Sequence, residues 1–145
     1  ELAAKDPLFL VVLNGAFMFA AELMKGVSIP SEITFVRLAS YQGTSSTNKV
    51  HEVLGLNQSI KGRTIVIVED IVDTGNTMVS LLAELMKHEP DSIKIATLLF
   101  KPDALRQQLN LDYVALEIPS DFIVGYGLDY DGYGRNLKDI YKLKE

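Results

Sequence analysis

The 145-residue chain contains no cysteine. That excludes a disulfide framework, a thiolate nucleophile and a cysteine-ligated zinc site. Histidine is scarce too: His51 and His88 lie far apart and form no metal signature. Acidic residues outnumber basic ones, for a formal net charge of −5, which argues against nonspecific nucleic-acid binding. No apolar run approaches the ~18 residues of a membrane span, and no signal peptide opens the sequence. A cytoplasmic protein with no membrane partner is therefore the expectation. Neither G-x-x-x-x-G-K-S/T nor G-x-G-x-x-G occurs, so the P-loop and dinucleotide fingerprints are missing. There is no internal repeat and no low-complexity tract.

The remaining composition is that of an ordinary globular protein, 48% hydrophobic and 23% charged. Residues 1–145 are expected to form one domain with a substantial core. Its organising stretch is residues 64–78, T-I-V-I-V-E-D-I-V-D-T-G-N-T-M. The run Ile65-Val66-Ile67-Val68 is continuous, apolar and β-branched, as suits a central parallel strand buried on both faces. Glu69 and Asp70 end that run, and Asp73 follows three residues later. After Thr74-Gly75-Asn76-Thr77 the pattern turns helical, with Met78, Leu81, Leu82 and Leu85 at i, i+3, i+4 and i+7.

Strand, polar loop and helix start together make a phosphate cradle. Backbone N–H groups at the helix end, Thr hydroxyls and a close-approaching glycine face one crevice. Carboxylates on the strand side suit sugar hydroxyls or a divalent cation, and Asp73 between them is placed to take a proton. The residues alone fit equally well a solvated strand-to-helix turn whose Thr and Asp are caps.

Along the rest of the chain, residues 8–13 read as a buried strand, 16–25 as a helix with Gly26 as its stop, and 32–37 as a strand. The small polar stretch 40–48 reads as a mobile loop, residues 50–56 as a returning strand and 77–88 as the helix after the central motif. Strands are expected at 92–100, 111–118 and 139–143. Strands alternating with helices at short spacing give an α/β, doubly wound parallel sheet. Leu13-Asn14-Gly15 and Lys101 then lie at carboxyl ends of strands, where such sheets bind ligands. For Lys101 the residue type by itself favours an ordinary surface lysine. His88 is a helix C-terminal residue without assigned chemistry.

The stretch V-E-D-I-V-D-T-G-N-T resembles the phosphoribosyl pyrophosphate (PRPP) motif of type I phosphoribosyltransferases, in the version closest to the hypoxanthine-guanine enzymes. Three further segments match in order: L-N-G, then Ser40-Tyr41, then F-I-V-G-Y-G-L-D-Y with Y-x-R-N-L. The resemblance covers nearly everything from Leu8 onward. It implies the type I phosphoribosyltransferase fold, with a small hood subdomain over the sheet's carboxyl edge, and Mg²⁺-dependent transfer of 5-phosphoribosyl from PRPP to N9 of hypoxanthine or guanine. The products would be IMP or GMP and pyrophosphate.

The same resemblance implies the roles. Asp73 is the base that accepts the purine N7 proton. Glu69 and Asp70 hold the ribose hydroxyls, and Thr74, Gly75, Asn76 and Thr77 anchor the 5-phosphate. Leu13, Asn14, Gly15 and Arg135 meet pyrophosphate across a loop that commonly includes a non-proline cis peptide. Ser40 and Tyr41 open a flexible loop that closes over the site. Lys101 bonds the purine O6, Phe122 stacks on the base, Ile123 offers backbone groups to its edge, and Asp129 joins Glu69 and Asp70 around Mg²⁺. A homodimer or homotetramer is the implied assembly.

Two departures stand out. Many members carry Lys where this chain has Asn14, which leaves the backbone role intact and bears on any side-chain charge contact. Members also usually have a helix and strand before the first core strand, so a shortened chain or an additional N-terminal segment is expected. Two other classes compete with this one. A nucleic-acid-binding regulator on the same fold needs a basic face, which −5 does not favour. Asp73-Thr74-Gly75 also matches the aspartic protease tripeptide, but that chemistry needs a paired Asp in an all-β dimer.

Overall fold

The computed structural model describes residues 5–42 and 49–144. Its centre is a six-stranded sheet in the order β3-β2-β1-β4-β5-β6. The strands are β1 (Leu8–Leu13), β2 (Glu32–Gln42), β3 (Lys49–Leu54), β4 (Thr64–Val72), β5 (Ser92–Phe100) and β6 (Tyr113–Glu117). The apolar run of β1 explains its central place: neighbours on both sides and packing on both faces leave no polar position unsatisfied. Its side chains alternate between faces. Leu8, Leu10 and Val12 join Ile65 and Ile67 of β4 in one core, while Phe9 and Val11 join Val66 and Val68 in another.

Each core is closed by one helix. Helix α2 (Asn76–Met86) turns Met78, Leu81 and Leu85 into the first core. Helix α1 (Phe17–Lys25) buries Ala20 against the second. The helices follow β1 and β4 and cover opposite faces, so the sheet is wound in two directions away from the β1–β4 pair. Among the described residues no helix is long and apolar enough to cross a membrane.

Strands β1 and β5 have the expected bounds, and several other elements differ from expectation. The sheet is not wholly parallel: β3 runs antiparallel to β2 at the edge, a hairpin rather than a crossover. Strand β4 does not stop before the acidic pair. It continues to Val72 because Glu69, Ile71 and Val72 keep pairing with Thr97, Leu99 and Phe100 of β5. Ser40 and Tyr41, expected to open a loop, instead extend β2 in register with His51 and Val50. The rest of that expected loop, 43–48, lies outside the described residues. Gly26 ends α1 with a right-handed φ of −88°, its amide donating to the Leu23 carbonyl and the Val27 amide to the Met24 carbonyl, so it is not a left-handed stop.

Between β5 and β6 there is a 3-10 turn (Pro102–Ala104) and a loop in place of an α-helix. The expected strand over 139–143 is only Tyr141–Lys142 (β8), paired with Ile123–Val124 (β7). This two-stranded sheet and the turns between its strands form the hood. Leu81 is fully buried in the α2-side core, whereas His88 is exposed just beyond α2. Leu81→Ala should therefore cost about 2–5 kcal/mol in urea unfolding, and His88→Ala less than about 0.5 kcal/mol. Equal effects at the two positions would contradict this packing.

Candidate active site at the carboxyl end of the sheet

The connection leaving β1 runs to one side of the sheet and the connection leaving β4 to the other. Their loops part above the carboxyl ends and leave a crevice, the place where doubly wound sheets bind ligands. The crevice has a volume of about 400 Å³. Its walls are the residues after β1, the stretch from Glu69 to Gly75 that ends β4 and leads into α2, and Asp129 and Arg135 of the hood. It thus gathers segments more than a hundred residues apart in sequence.

Gly15 is where these walls meet. A Cβ at Gly15 would run into the Asp70 carboxylate, and a Cβ at Gly127 of the hood would run into the Gly15 carbonyl. The β1 loop is therefore squeezed between a β4 carboxylate and the hood, with glycine on both sides of the closest approach. The peptide joining Leu13 to Asn14 is cis. Arg135 is held within the hood, its Nη1 donating to the Gly127 carbonyl at 2.9 Å and its Nη2 lying 3.4 Å from the Asp129 carboxylate. Asp129 also accepts from the Gly132 amide at 2.9 Å.

At the opposite end of the crevice, α2 begins. Gly75 is its N-cap, with a left-handed φ of 90°, and no acidic residue occupies the first turn. The N–H groups of a first turn have no partner inside the helix, and here the first turn itself contributes no carboxylate against the positive end of the dipole. Thr74 adds a hydroxyl, which accepts from the Asn76 amide at 3.3 Å. Thr74, Gly75 and Thr77 line the crevice. Asn76 is not among its lining residues.

The acidic pair is held by its own backbone. Glu69 Oε1 accepts from the Asp70 amide at 3.0 Å, and Asp70 Oδ1 from the Ile71 amide at 2.7 Å. Glu69 is buried. Burial above all, then its contact with the Asp70 carboxylate and that group's negative charge, push its pKa well above the usual carboxyl range; the Asp70 amide works the other way.

Lys101 is not the surface lysine its residue type suggests. It is only 8% exposed, and its Nζ lies 3.3 Å from Oδ2 of the more exposed Asp73. The placement follows from the ladder: the Lys101 amide donates to the Val72 carbonyl, so the ends of β4 and β5 stay side by side. Phe122 and Ile123 do not line the crevice. Phe122 is 57% exposed and meets Tyr130 edge to face, with ring centroids 5.9 Å apart.

The structure also brings in residues that sequence reasoning missed. The loop after β5 lays Leu105, Gln107 and Leu109 against Gly75. No sequence signal marks this contact, since the partners are about thirty positions apart and the loop has no motif. The protease alternative fails on the fold, because Asp73 leads into a helix of an α/β sheet.

Comparison with known proteins gives consistent matches. The family model described as the phosphoribosyl transferase domain matches residues 1–131. A hypoxanthine-guanine phosphoribosyltransferase from Lactococcus lactis subsp. lactis is 42% identical over 145 residues, covering 99% of this chain and 79% of the relative. One from Streptococcus pneumoniae is 41% identical, covering 100% of this chain and 81% of the relative. Among solved structures, a hypoxanthine phosphoribosyltransferase from Staphylococcus aureus superposes with a TM-score of 0.88 at 37% identity, covering 97% of this chain and 77% of that one.

The Glu69 environment has a measurable consequence. A raised folded pKa means that Glu69 contributes stability fully below the ordinary carboxyl pKa of about 4.3, and that this is lost as pH rises through the folded value. Glu69→Gln stays neutral throughout. In metal-free buffer its Tm should exceed that of the wild type near neutral pH and above, with the gap closing towards about pH 4. A pH-independent gap would contradict the raised pKa.

Proposed function

The chain belongs to the phosphoribosyltransferase family, and we infer from this premise that it catalyses purine salvage. It transfers the 5-phosphoribosyl group of PRPP to hypoxanthine or guanine and releases pyrophosphate. The single observation that carries the choice of base is the Lys101–Asp73 pair. A donor beside an acceptor matches the adjacent O6 and N7–H of a 6-oxopurine. Adenine would turn an amino group towards Lys101 and set a donor against the remaining donors of that buried ammonium.

The proposed roles follow the crevice from end to end. The start of α2, with Thr74, Gly75 and Thr77, anchors the 5-phosphate and supplies remote binding energy for orientation. Glu69 and Asp70 hold the ribose hydroxyls and set negative charge near the sugar as it becomes oxocarbenium-like. The C1–O bond to pyrophosphate breaks and its electron pair leaves with pyrophosphate, while N9 attacks C1. The proton released from N7 passes to an Asp73 oxygen, general-base work typically worth ~10²–10⁴-fold. Backbone groups of Leu13, Asn14 and Gly15, together with Arg135, receive the pyrophosphate. With Asn14 in the loop, the positive charge there comes from Arg135. Phe122 stacks on the base, and Ile123 offers backbone groups to its edge.

Among the described residues no three carboxyl or imidazole groups stand close enough to hold a metal by themselves. Mg²⁺ binds through one or two carboxylates plus substrate oxygens, and it would be held that way by the carboxyls of Glu69, Asp70 and Asp129, which line the crevice. When bound, it supplies Lewis-acid neutralisation of pyrophosphate. We further propose a cytoplasmic homodimer or homotetramer. Ile33, Phe35 and Leu54 support the assembly: they share one face of β2–β3, and all are at least 40% exposed.

An ultraviolet assay of nucleotide formation with PRPP and Mg²⁺ tests this function. Hypoxanthine and guanine should turn over and adenine should not, and Asp73→Asn should lower kcat by about 10²–10⁴-fold. Adenine turnover equal to that of hypoxanthine, or an unimpaired Asp73→Asn, would contradict the proposed roles.

A further inference from the structure

The loop leaving β5 returns over the outside of the β4–α2 loop. It starts at Lys101, passes through the Pro102–Ala104 turn and then fastens onto the residues that cap α2. The Arg106 amide donates to the Thr74 carbonyl at 2.9 Å. Gln107 Nε2 donates to Asn76 Oδ1 at 2.7 Å. A Cβ at Gly75 would sit 2.9 Å from Leu109 Cδ1, 3.0 Å from Leu105 Cδ1 and 3.3 Å from Gln107 Cβ. Leu109 in turn packs on the core beneath α2. The phosphate-binding side of Thr74 to Thr77 thus faces the crevice, while the reverse side is strapped down.

This arrangement changes the meaning of Asn76. Its side chain is not part of the crevice wall, and its amide oxygen is engaged by Gln107. Thr74, Gly75 and Thr77 do the facing. A cradle of backbone N–H groups works only if the peptide planes keep their aim, and a left-handed residue such as Gly75 is the weak point of that aim. The strap fixes the planes on both sides of Gly75: Thr74 by its carbonyl and Asn76 by its side chain.

We infer that Gln107 is a positioning residue for the 5-phosphate, acting through Asn76 without touching substrate. The inference rests on the proposed function for the identity of the ligand. Lys101 is fixed by its own amide on the Val72 carbonyl and by its ion pair with Asp73, so the effect should be confined to PRPP.

Steady-state kinetics of the full chain test this with Gln107→Ala, Asn76→Ala and the double variant. Loss of one hydrogen bond of ordinary net strength corresponds to about a two- to tenfold change. Gln107→Ala should raise the KM for PRPP by that factor, with the KM for hypoxanthine unchanged. The double variant should be no worse than the worse single one, because the two residues act as one unit. Hydrogen exchange at the amides of residues 74–77 should quicken in Gln107→Ala even without ligand. An unchanged PRPP KM, additive single effects, or a parallel change of both KM values together with a lowered Tm would overturn the inference. A wild-type chain that fails to bind PRPP would instead overturn the proposed function, and the exchange measurement would still decide whether the strap holds the loop.

Discussion

A side chain at position 15 would collide with the Asp70 carboxylate, and a side chain at position 127 of the hood would collide with the Gly15 carbonyl. That contact joins the three parts of the site. Strand β1 supplies the loop, β4 supplies the carboxylate, and the C-terminal hood supplies the cover. Each part is ordinary in isolation. Their close approach places Asp129 and Arg135 over the same crevice as Glu69 and Asp70. The winding of the sheet makes this possible, since α1 and α2 leave the β1–β4 pair in opposite directions and keep the space above it clear.

Within the crevice, charge is graded by burial. Glu69 is buried and held towards its neutral form, while Asp73 stands more exposed beside a buried ammonium. Carboxyl groups of nearly the same chemistry therefore stand in different surroundings within one crevice. The helix start completes the series with fixed backbone dipoles, which need no proton to bind phosphate. Positioning through buried and strapped backbone, rather than through a dense cluster of cations, suits a chain whose net charge is −5.

The parts of the fold legible in sequence were those with a strong local pattern. Strand β1 lies where an unbroken apolar run places it, β5 lies where a mostly apolar stretch does, and α2 follows its i, i+3, i+4 spacing. What failed were positions where tertiary pairing outweighs local preference. Glu69 and Asp70 look like the end of a strand, yet the β5 ladder carries them on to Val72. Ser40 to Gln42 look like a loop, yet they pair with β3. Lysine is rarely buried, so the placement of Lys101 depended on a fold-level fact, the alignment of two strand ends. The Gln107–Asn76 bond spans 31 positions with no periodicity to reveal it.

The central claim is that the crevice above β1 and β4 takes the ribose 5-phosphate end of the substrate with its phosphate on the start of α2. Amide chemical shifts of the labelled chain, followed during titration with ribose 5-phosphate, test it directly. The account predicts that the largest saturable changes fall on the amides of residues 74–78, with smaller ones at Glu69 and Asp70. Changes centred on the apolar surface between α1 and β6, or none at residues 74–78, would contradict it.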